Sequence, residues 1–71
     1  MTASYKKLWK LLIDKDMNKQ DLRRVAKLSS SSVAKLAKGE NVNTNILVRI
    51  CTALECDVSD IMEIVPDKKE D

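Results

Sequence analysis

Seventy-one residues suffice for one small domain, and a content of 44% hydrophobic and 34% charged residues excludes wholesale disorder. With no histidine and a single glycine, the chain lacks the residues for a zinc site, a Cys–His pair or a glycine-rich phosphate loop, so we expect no enzyme. The net charge of +2 divides into +7 over residues 1–39 and −5 over residues 40–71. This division predicts either a surface that binds a polyanion or an unevenly charged surface that is only solvated.

The two cysteines and the hydropathy of the chain indicate the compartment. Cys51 and Cys56 are too few and too close together for a secreted disulfide framework, and Cys51 falls on an apolar helical face as a reduced core residue. No N-terminal stretch has the pattern of a signal peptide, and no segment has the length of a membrane span. We therefore expect a cytoplasmic protein with no metal, cofactor or small-molecule ligand.

The single glycine and single proline favour helices over a turn-rich sheet. We predict a first helix from Ser4 to Asp16, because its apolar residues have the spacing of one buried stripe, namely Tyr5, Leu8, Trp9, Leu12 and Ile13. The lysines beside this stripe make the helix basic and amphipathic, so a helix lying on a membrane surface is the alternative to a core helix.

Three later helix starts share one local pattern. An apolar residue precedes a capping Asn or Ser, whose side chain accepts a backbone N–H, and a second apolar residue four positions after the cap closes a hydrophobic staple. The three sites are Met17-Asn18 with Leu22, Leu28-Ser29 with Val33, and Val42-Asn43 with Leu47. They predict helices over Lys19–Ala26, Ser30–Lys38 and Thr44–Glu55.

The remaining signals concern helix ends and the predicted core. Gly39 suits the left-handed position after the third helix, and a short fifth helix is predicted over Ser59–Glu63. We expect regular helix to be over by Pro66, so the predicted domain spans residues 1–66 and a charged tail spans 67–71. The residues predicted to be buried on helices two to four are Leu22, Val25, Ala26, Val33, Leu36, Ala37, Leu47, Ile50, Cys51 and Leu54.

The stretch from Asn18 to Gly39 has the features of a helix-turn-helix. It holds six basic residues against one acid, Asp21. The short connection at Lys27-Leu28 forces a sharp crossing between the second and third helices. The outward side of the third helix then carries serines and lysines, which form a narrow basic surface sized for a DNA major groove.

An ordered set of residues extends this pattern over nearly the whole chain: Leu22, Leu28-Ser29, Val33, Lys35-Leu36, Gly39-Glu40-Asn41, Leu47-Val48-Arg49-Ile50, Ala53-Leu54 and Asp57-Val58-Ser59-Asp60-Ile61. With this set, the segment from Met17 to Met62 resembles the Cro/cI-type (Xre-family) helix-turn-helix domain. The resemblance implies an all-α, five-helix, lambda-repressor-like domain that regulates transcription by binding double-stranded DNA, usually as a homodimer on a palindromic operator. It also implies contacts to base edges from Ser30, Ser31 and Lys35, and contacts to phosphates from Lys19, Ser32, Lys38 and Asn41.

Two residues depart from the family pattern. The family turn usually has Gly where this chain has Lys27, and it often has Ala where this chain has Arg23. We expect Lys27 to adopt a left-handed conformation, which costs roughly 1 kcal/mol relative to Gly. Arg23 implies a looser seam between the helices, or a guanidinium that reaches solvent or a phosphate. For both Arg23 and Arg24, the alternative to a DNA contact is a side chain whose stem covers apolar surface.

The alternative function is a protein-interaction module that keeps the fold, such as an antitoxin-like partner in a complex. Short serine side chains offer few bidentate contacts to bases, which would leave DNA readout to shape, water or backbone attraction. The hydrophobic end over residues 61–65 either self-associates or packs on the first helix. A calcium loop at Asp14-x-Asp16-x-Asn18 is not expected, because Lys19 replaces the required glycine.

Overall fold

The computed structural model describes residues 1–66, and the predicted tail over 67–71 lies outside them. The elements follow in the order β1 (Thr2–Ser4), α1 (Lys6–Asp14), α2 (Lys19–Ala26), α3 (Ser30–Lys38), α4 (Thr44–Leu54), a 3-10 turn (Val58–Asp60) and β2 (Glu63–Val65). The two strands pair antiparallel, with Thr2 opposite Val65 and Ser4 opposite Glu63. Four α-helices thus form the body of the fold, and the strand pair joins its two ends.

The three predicted helix caps are confirmed. In each cap a side-chain oxygen accepts the backbone N–H three residues later, at 2.9 Å for Asn18, 3.2 Å for Ser29 and 3.1 Å for Asn43. Each such bond satisfies a donor with no helical partner and stabilises the helix by roughly 1 kcal/mol. The observed bounds of α2 and α3 are those that the sequence predicted from these caps, and α4 ends one residue before the predicted Glu55.

The predicted fifth helix over residues 59–63 is wrong. Asp57 and Asp60 form a capping box around a 3-10 turn, and the chain then extends into β2. The predicted start of the first helix at Ser4 is also wrong, because Ser4 lies in β1 and the helix begins at Lys6. Both errors have one cause, since β-branched residues near the two ends find strand partners that helical spacing does not reveal.

The core lies where the four helices and the 3-10 turn meet. Its buried apolar residues are Tyr5, Leu8, Leu12, Leu22, Ala26, Leu28, Leu36, Ile50, Leu54 and Ile61. Val33, Leu47 and Cys51 are only half-buried against this core. Burial of Ile61 shows that this part of the hydrophobic end packs inward, whereas Ile64 in β2 is 57% exposed.

Three predicted core residues lie outside the core. Ile13 on α1 is 74% exposed, Val25 on α2 is 46% exposed, and Ala37 on α3 is exposed. Each is the helical neighbour of a buried residue and is therefore turned about 100° from it around the helix axis. The buried stripe of each helix is narrower than the apolar pattern of the sequence.

Lys27 ends α2 in the left-handed conformation that the sequence predicted, with φ 57° and ψ 50°. Asp16 and Glu55 are left-handed as well, and the glycine at position 39 has φ 75°. The carbonyl of Lys27 accepts a hydrogen bond from Nη1 of Arg49 at 3.0 Å, which ties the turn between α2 and α3 to α4. The contact that holds the turn is therefore made by the Arg49 side chain to the backbone carbonyl of Lys27, so it does not need a lysine side chain.

We expect Lys27→Gly to leave the free energy of unfolding unchanged or to raise it by up to about 1 kcal/mol, because glycine adopts this conformation without strain. Urea denaturation followed by circular dichroism measures the change. The matched control is Lys10→Gly within α1, which should destabilise the protein by about 1 kcal/mol. A clear loss of stability in the Lys27 variant would contradict this account of the turn.

Asp21 couples the stability of α2 to pH. The Asn18 N–H donates to its carboxylate at 3.1 Å and Nη2 of Arg24 donates at 2.6 Å. The hydrogen bond from Asn18, and then that from Arg24, lower the pKa of Asp21 below its ordinary value. A lowered pKa means that the carboxylate stabilises the fold above its unfolded pKa and loses this effect as pH falls through the lower folded value.

Asp21→Ala should therefore lower the melting temperature at pH 7, and the gap from wild type should narrow as the pH falls below about 4. Thermal denaturation at a series of pH values measures this gap. A gap of constant size down to pH 2 would mean that the charge of Asp21 contributes nothing to stability.

Candidate nucleic-acid interface

The first turn of α3 carries a small network of serine hydroxyls. Ser29 Oγ donates to Ser32 Oγ at 3.0 Å and lies 3.1 Å from Ser31 Oγ. Either hydroxyl can donate in the contact between Ser29 and Ser31, so the exposed Ser31 can offer a donor or an acceptor to a partner.

The predicted base-edge residues lie together on the outward side of α3. Ser30, Ser31 and Lys35 are all exposed, while Leu36 on the opposite side is buried. Lys35 makes no ion pair with any residue of 1–66, so its ammonium is available to an external acceptor. The face is polar, cationic and free of bulky side chains, as insertion into a groove requires.

The predicted phosphate residues border this face at different points. Lys38 is exposed at the end of α3, Asn41 is exposed in the connection to α4, and Ser32 is half-buried in the first turn of α3. Lys19 is exposed at the first position of α2, where helix geometry leaves backbone N–H groups unpaired. A phosphate is a suitable acceptor at such a helix start.

The two arginines of α2 differ in their contacts. Arg24 forms an ion pair with Asp21 at 2.6 Å, whereas Arg23 has only a long 3.5 Å contact to Oε1 of Gln20. Both side chains are exposed, so Arg23 reaches solvent. Of the two guanidinium groups, that of Arg23 makes no ion pair within residues 1–66.

Three of the acidic residues lie away from α3. They line a cleft between α1, the end of α4 and the 3-10 turn, together with three lysines of the same region: Asp14, Glu55 and Asp60 with Lys7, Lys10 and Lys15. Lys7 reaches from α1 to this region, where its ammonium donates to the Ser59 carbonyl at 3.1 Å and lies 4.0 Å from Glu63. The acids of this cleft therefore lie among lysines, whereas Lys35 on α3 makes no ion pair within residues 1–66.

The two cysteines lie together at the end of α4. The Cys56 N–H donates to the Cys51 carbonyl at 3.0 Å, and both thiols are half-buried. Burial, followed by the adjacent Cys51, raises the pKa of Cys56 to about 11, so this thiol stays protonated at neutral pH. Within residues 1–66, no group of three or more His, Cys, Asp or Glu side chains is placed to hold a metal ion.

Comparison with known proteins connects this geometry to a family. The family model of the Cro/C1-type HTH DNA-binding domain matches residues 7–67. The chain belongs to the Cro/C1-type HTH DNA-binding family. The match includes α1 from its second residue onward, the whole of α2, α3 and α4, and the connection between α2 and α3 within the helix-turn-helix.

A solved structure resembles this Cro/C1-type domain closely. The crystal structure of the transcriptional regulator VanUg, form II, is 52% identical in sequence, with a TM-score of 0.90. The alignment covers 93% of this chain and 88% of that one. No curated protein sequence matches the chain. Among residues 1–66, no helix is long and apolar enough to cross a membrane.

Two contacts of this Cro/C1-type domain were not predicted from the sequence. Arg49 reaches the turn at Lys27, and the ammonium of Lys19 lies 5.0 Å from the centroid of the Trp9 ring. Both join residues on different helices, where spacing along one helix gives no signal. The family pattern includes Arg49, but the pattern alone does not say that it binds the turn.

Proposed function

We propose that this protein is a sequence-specific transcriptional regulator of the cytoplasm that inserts α3, Ser30–Lys38, into the major groove of double-stranded DNA. The observation that carries the proposal is the outward face of α3, which is exposed and cationic and has no acidic partner within residues 1–66. The family supports DNA as the polyanion, and the similarity to VanUg, a transcriptional regulator, supports the regulatory role.

Each site residue has a role that its chemistry supports. Lys35 is long enough to donate to guanine O6 or N7, and the hydroxyl of Ser31, which can donate or accept, suits either kind of group on a base edge. Ser30, exposed beside it, completes the base-edge set. The hydrogen bonds to phosphates come from Lys19, Ser32, Lys38 and Asn41, which fix the register of α3 in the groove without reading sequence.

We further propose that the protein acts as a homodimer on a palindromic operator. Helix-turn-helix domains gain affinity by placing two recognition helices in successive major grooves, about 34 Å apart. One α3 of nine residues, three of them serines at its start, offers few specific contacts. A second copy doubles them.

A second candidate function is a protein-interaction module, and one observation favours it. The outer side of α4 exposes Val48 by 60%, and a groove connects it to Val25, which is 46% exposed. Such apolar exposure on a small domain suits a protein partner, whether a second copy or a different chain. DNA binding would then be weak or non-specific.

Salt dependence of binding to duplex DNA separates the two functions. If Lys19 and Lys38 of both protomers neutralise phosphates, the plot of log affinity against log salt should have a slope of about −4. Fluorescence anisotropy of a labelled duplex measures it. Lys38→Ala should make the slope less steep by about 2 in a dimer, and Lys10→Ala, in a cleft that no residue of α3 lines, serves as the control.

No binding even at low salt would contradict the proposed function and favour the interaction module. Binding with no dependence on salt would contradict the assigned phosphate contacts.

A further inference from the structure

The ammonium of Lys19 lies 5.0 Å from the centroid of the Trp9 ring, within the range of a cation–π interaction. Trp9 is the only tryptophan of the chain, and it is half-buried against the core at the side of α1. Lys19 is exposed at the start of α2. A ring fixed by packing thus holds a flexible, solvent-exposed cation.

We propose that Trp9 is a positioning residue for DNA binding, which holds the Lys19 ammonium beside the α2 N-terminus so that one phosphate meets both. This inference rests on the proposed function and adds a residue outside the helix-turn-helix to the interface. Trp9 itself need not touch DNA. It acts through Lys19.

The chemistry of the two groups allows this arrangement. An ammonium has three N–H donors, and a ring on one side leaves the others free for a phosphate oxygen. Long lysine side chains lose considerable rotamer freedom when they bind, so a lysine that is already oriented loses less. The phosphate at this point also meets the unpaired N–H groups of the first turn of α2.

The surroundings of Lys19 support this role over a purely structural one. No acidic residue within 1–66 pairs with Lys19, so its charge is not neutralised inside the domain. Ile13, Met17 and Asn18 complete an open groove around the pair, so the ammonium stays accessible. Asp21 is turned to the Asn18 N–H and Arg24, and does not compete with a phosphate for Lys19.

A double-mutant cycle tests the proposal. The probe is a duplex selected by the wild-type protein from a random-sequence library, and the variants are Trp9→Leu, Lys19→Ala and the double variant. Trp9→Leu should weaken binding by about two- to fivefold, which corresponds to an exposed cation–π pair. In the Lys19→Ala background the same substitution should change affinity little, because the positioned group is gone.

Two further variants separate positioning from packing. Lys19→Arg should retain affinity and retain the effect of Trp9→Leu, since arginine also stacks on tryptophan. Trp9→Phe keeps an aromatic ring and should weaken binding less than Trp9→Leu, which keeps the test valid if the leucine variant folds poorly. Circular dichroism confirms that every variant is folded at the binding temperature.

The fluorescence of Trp9 gives a readout without DNA. Lys19→Ala should shift its emission in the free protein, whereas Lys10→Ala should not. Equal losses from Trp9→Leu with and without Lys19, or tighter binding by Trp9→Leu, would overturn the positioning role. If the wild-type protein binds no duplex at low salt, the proposed function and the positioning role both fail, whereas DNA binding without coupling overturns only the latter.

Discussion

Replacing Lys35 with alanine should weaken DNA binding by about tenfold or more, the largest loss expected from any single exposed residue of the chain. A specific contact to a base edge contributes about 1–3 kcal/mol of discrimination. Lys35 is the only long side chain near the middle of the exposed face of α3, between the serines of its first turn and Lys38 at its end. No residue nearby can replace its reach.

The measurement is the dissociation constant for the selected duplex at fixed salt, with a scrambled duplex for comparison. Lys6→Ala is the matched control, because Lys6 is an exposed lysine at the start of α1 and lies off α3. Loss of the Lys35 ammonium should reduce the preference for the selected duplex, whereas Lys6→Ala should leave that preference unchanged. Equal effects of the two substitutions would mean that another surface meets DNA.

The second large effect concerns stability. Leu8→Ala should destabilise the fold by about 2–5 kcal/mol, because it removes buried methyl groups and leaves a cavity. Leu8 lies in the first turn of α1 and is fully buried, with 0% exposure. A domain of this length has a free energy of unfolding of about 4–10 kcal/mol, so one substitution removes much of it. Urea denaturation at 25 °C measures the change in the free energy of unfolding. Partial unfolding of the variant at 37 °C would be a second indication of this loss.

Ile13→Ala is the control on the same helix. Ile13 has the same number of carbon atoms as leucine, but it is 74% exposed, and surface substitutions of this kind change stability by about 0.5 kcal/mol or less. The two variants therefore differ in burial and hardly in chemistry. Comparable losses from both would mean that Ile13 is covered, for example by a second copy of the chain.

Local chemistry explains why the sequence predicted the central part of the fold. Caps at Asn18 and Ser29, and the left-handed residues at Lys27 and Gly39, act within four or five residues, so their effect can be read from neighbouring letters. The bounds of α2 and α3 follow from them. The exposure of Lys35 follows as well, because a helix with Leu36 buried turns Lys35 outward, whereas Ala37 was predicted to be buried and is exposed.

Contacts between distant parts of the chain could not be predicted in this way. The pairing of Ser4 with Glu63 changed a predicted helix start and replaced a predicted fifth helix, yet neither segment carries a local strand signal of usable length. The contact between Trp9 and Lys19 joins two helices whose relative placement is set by the whole core. Apolar spacing also overstated burial, since it cannot distinguish a narrow buried stripe from a wide one at Ile13 or Val25.

The strand pair at the two ends also has a consequence for the order of folding. Pairing of Ala3 with Ile64 closes a loop that contains all four helices, and loop-closure entropy grows with the length enclosed. Contacts of this range form late, after the local turns of the helices. Backbone amides in β1 and β2 should therefore exchange with solvent well before the amide of the buried Leu22, and the two strands join only once the helical core exists.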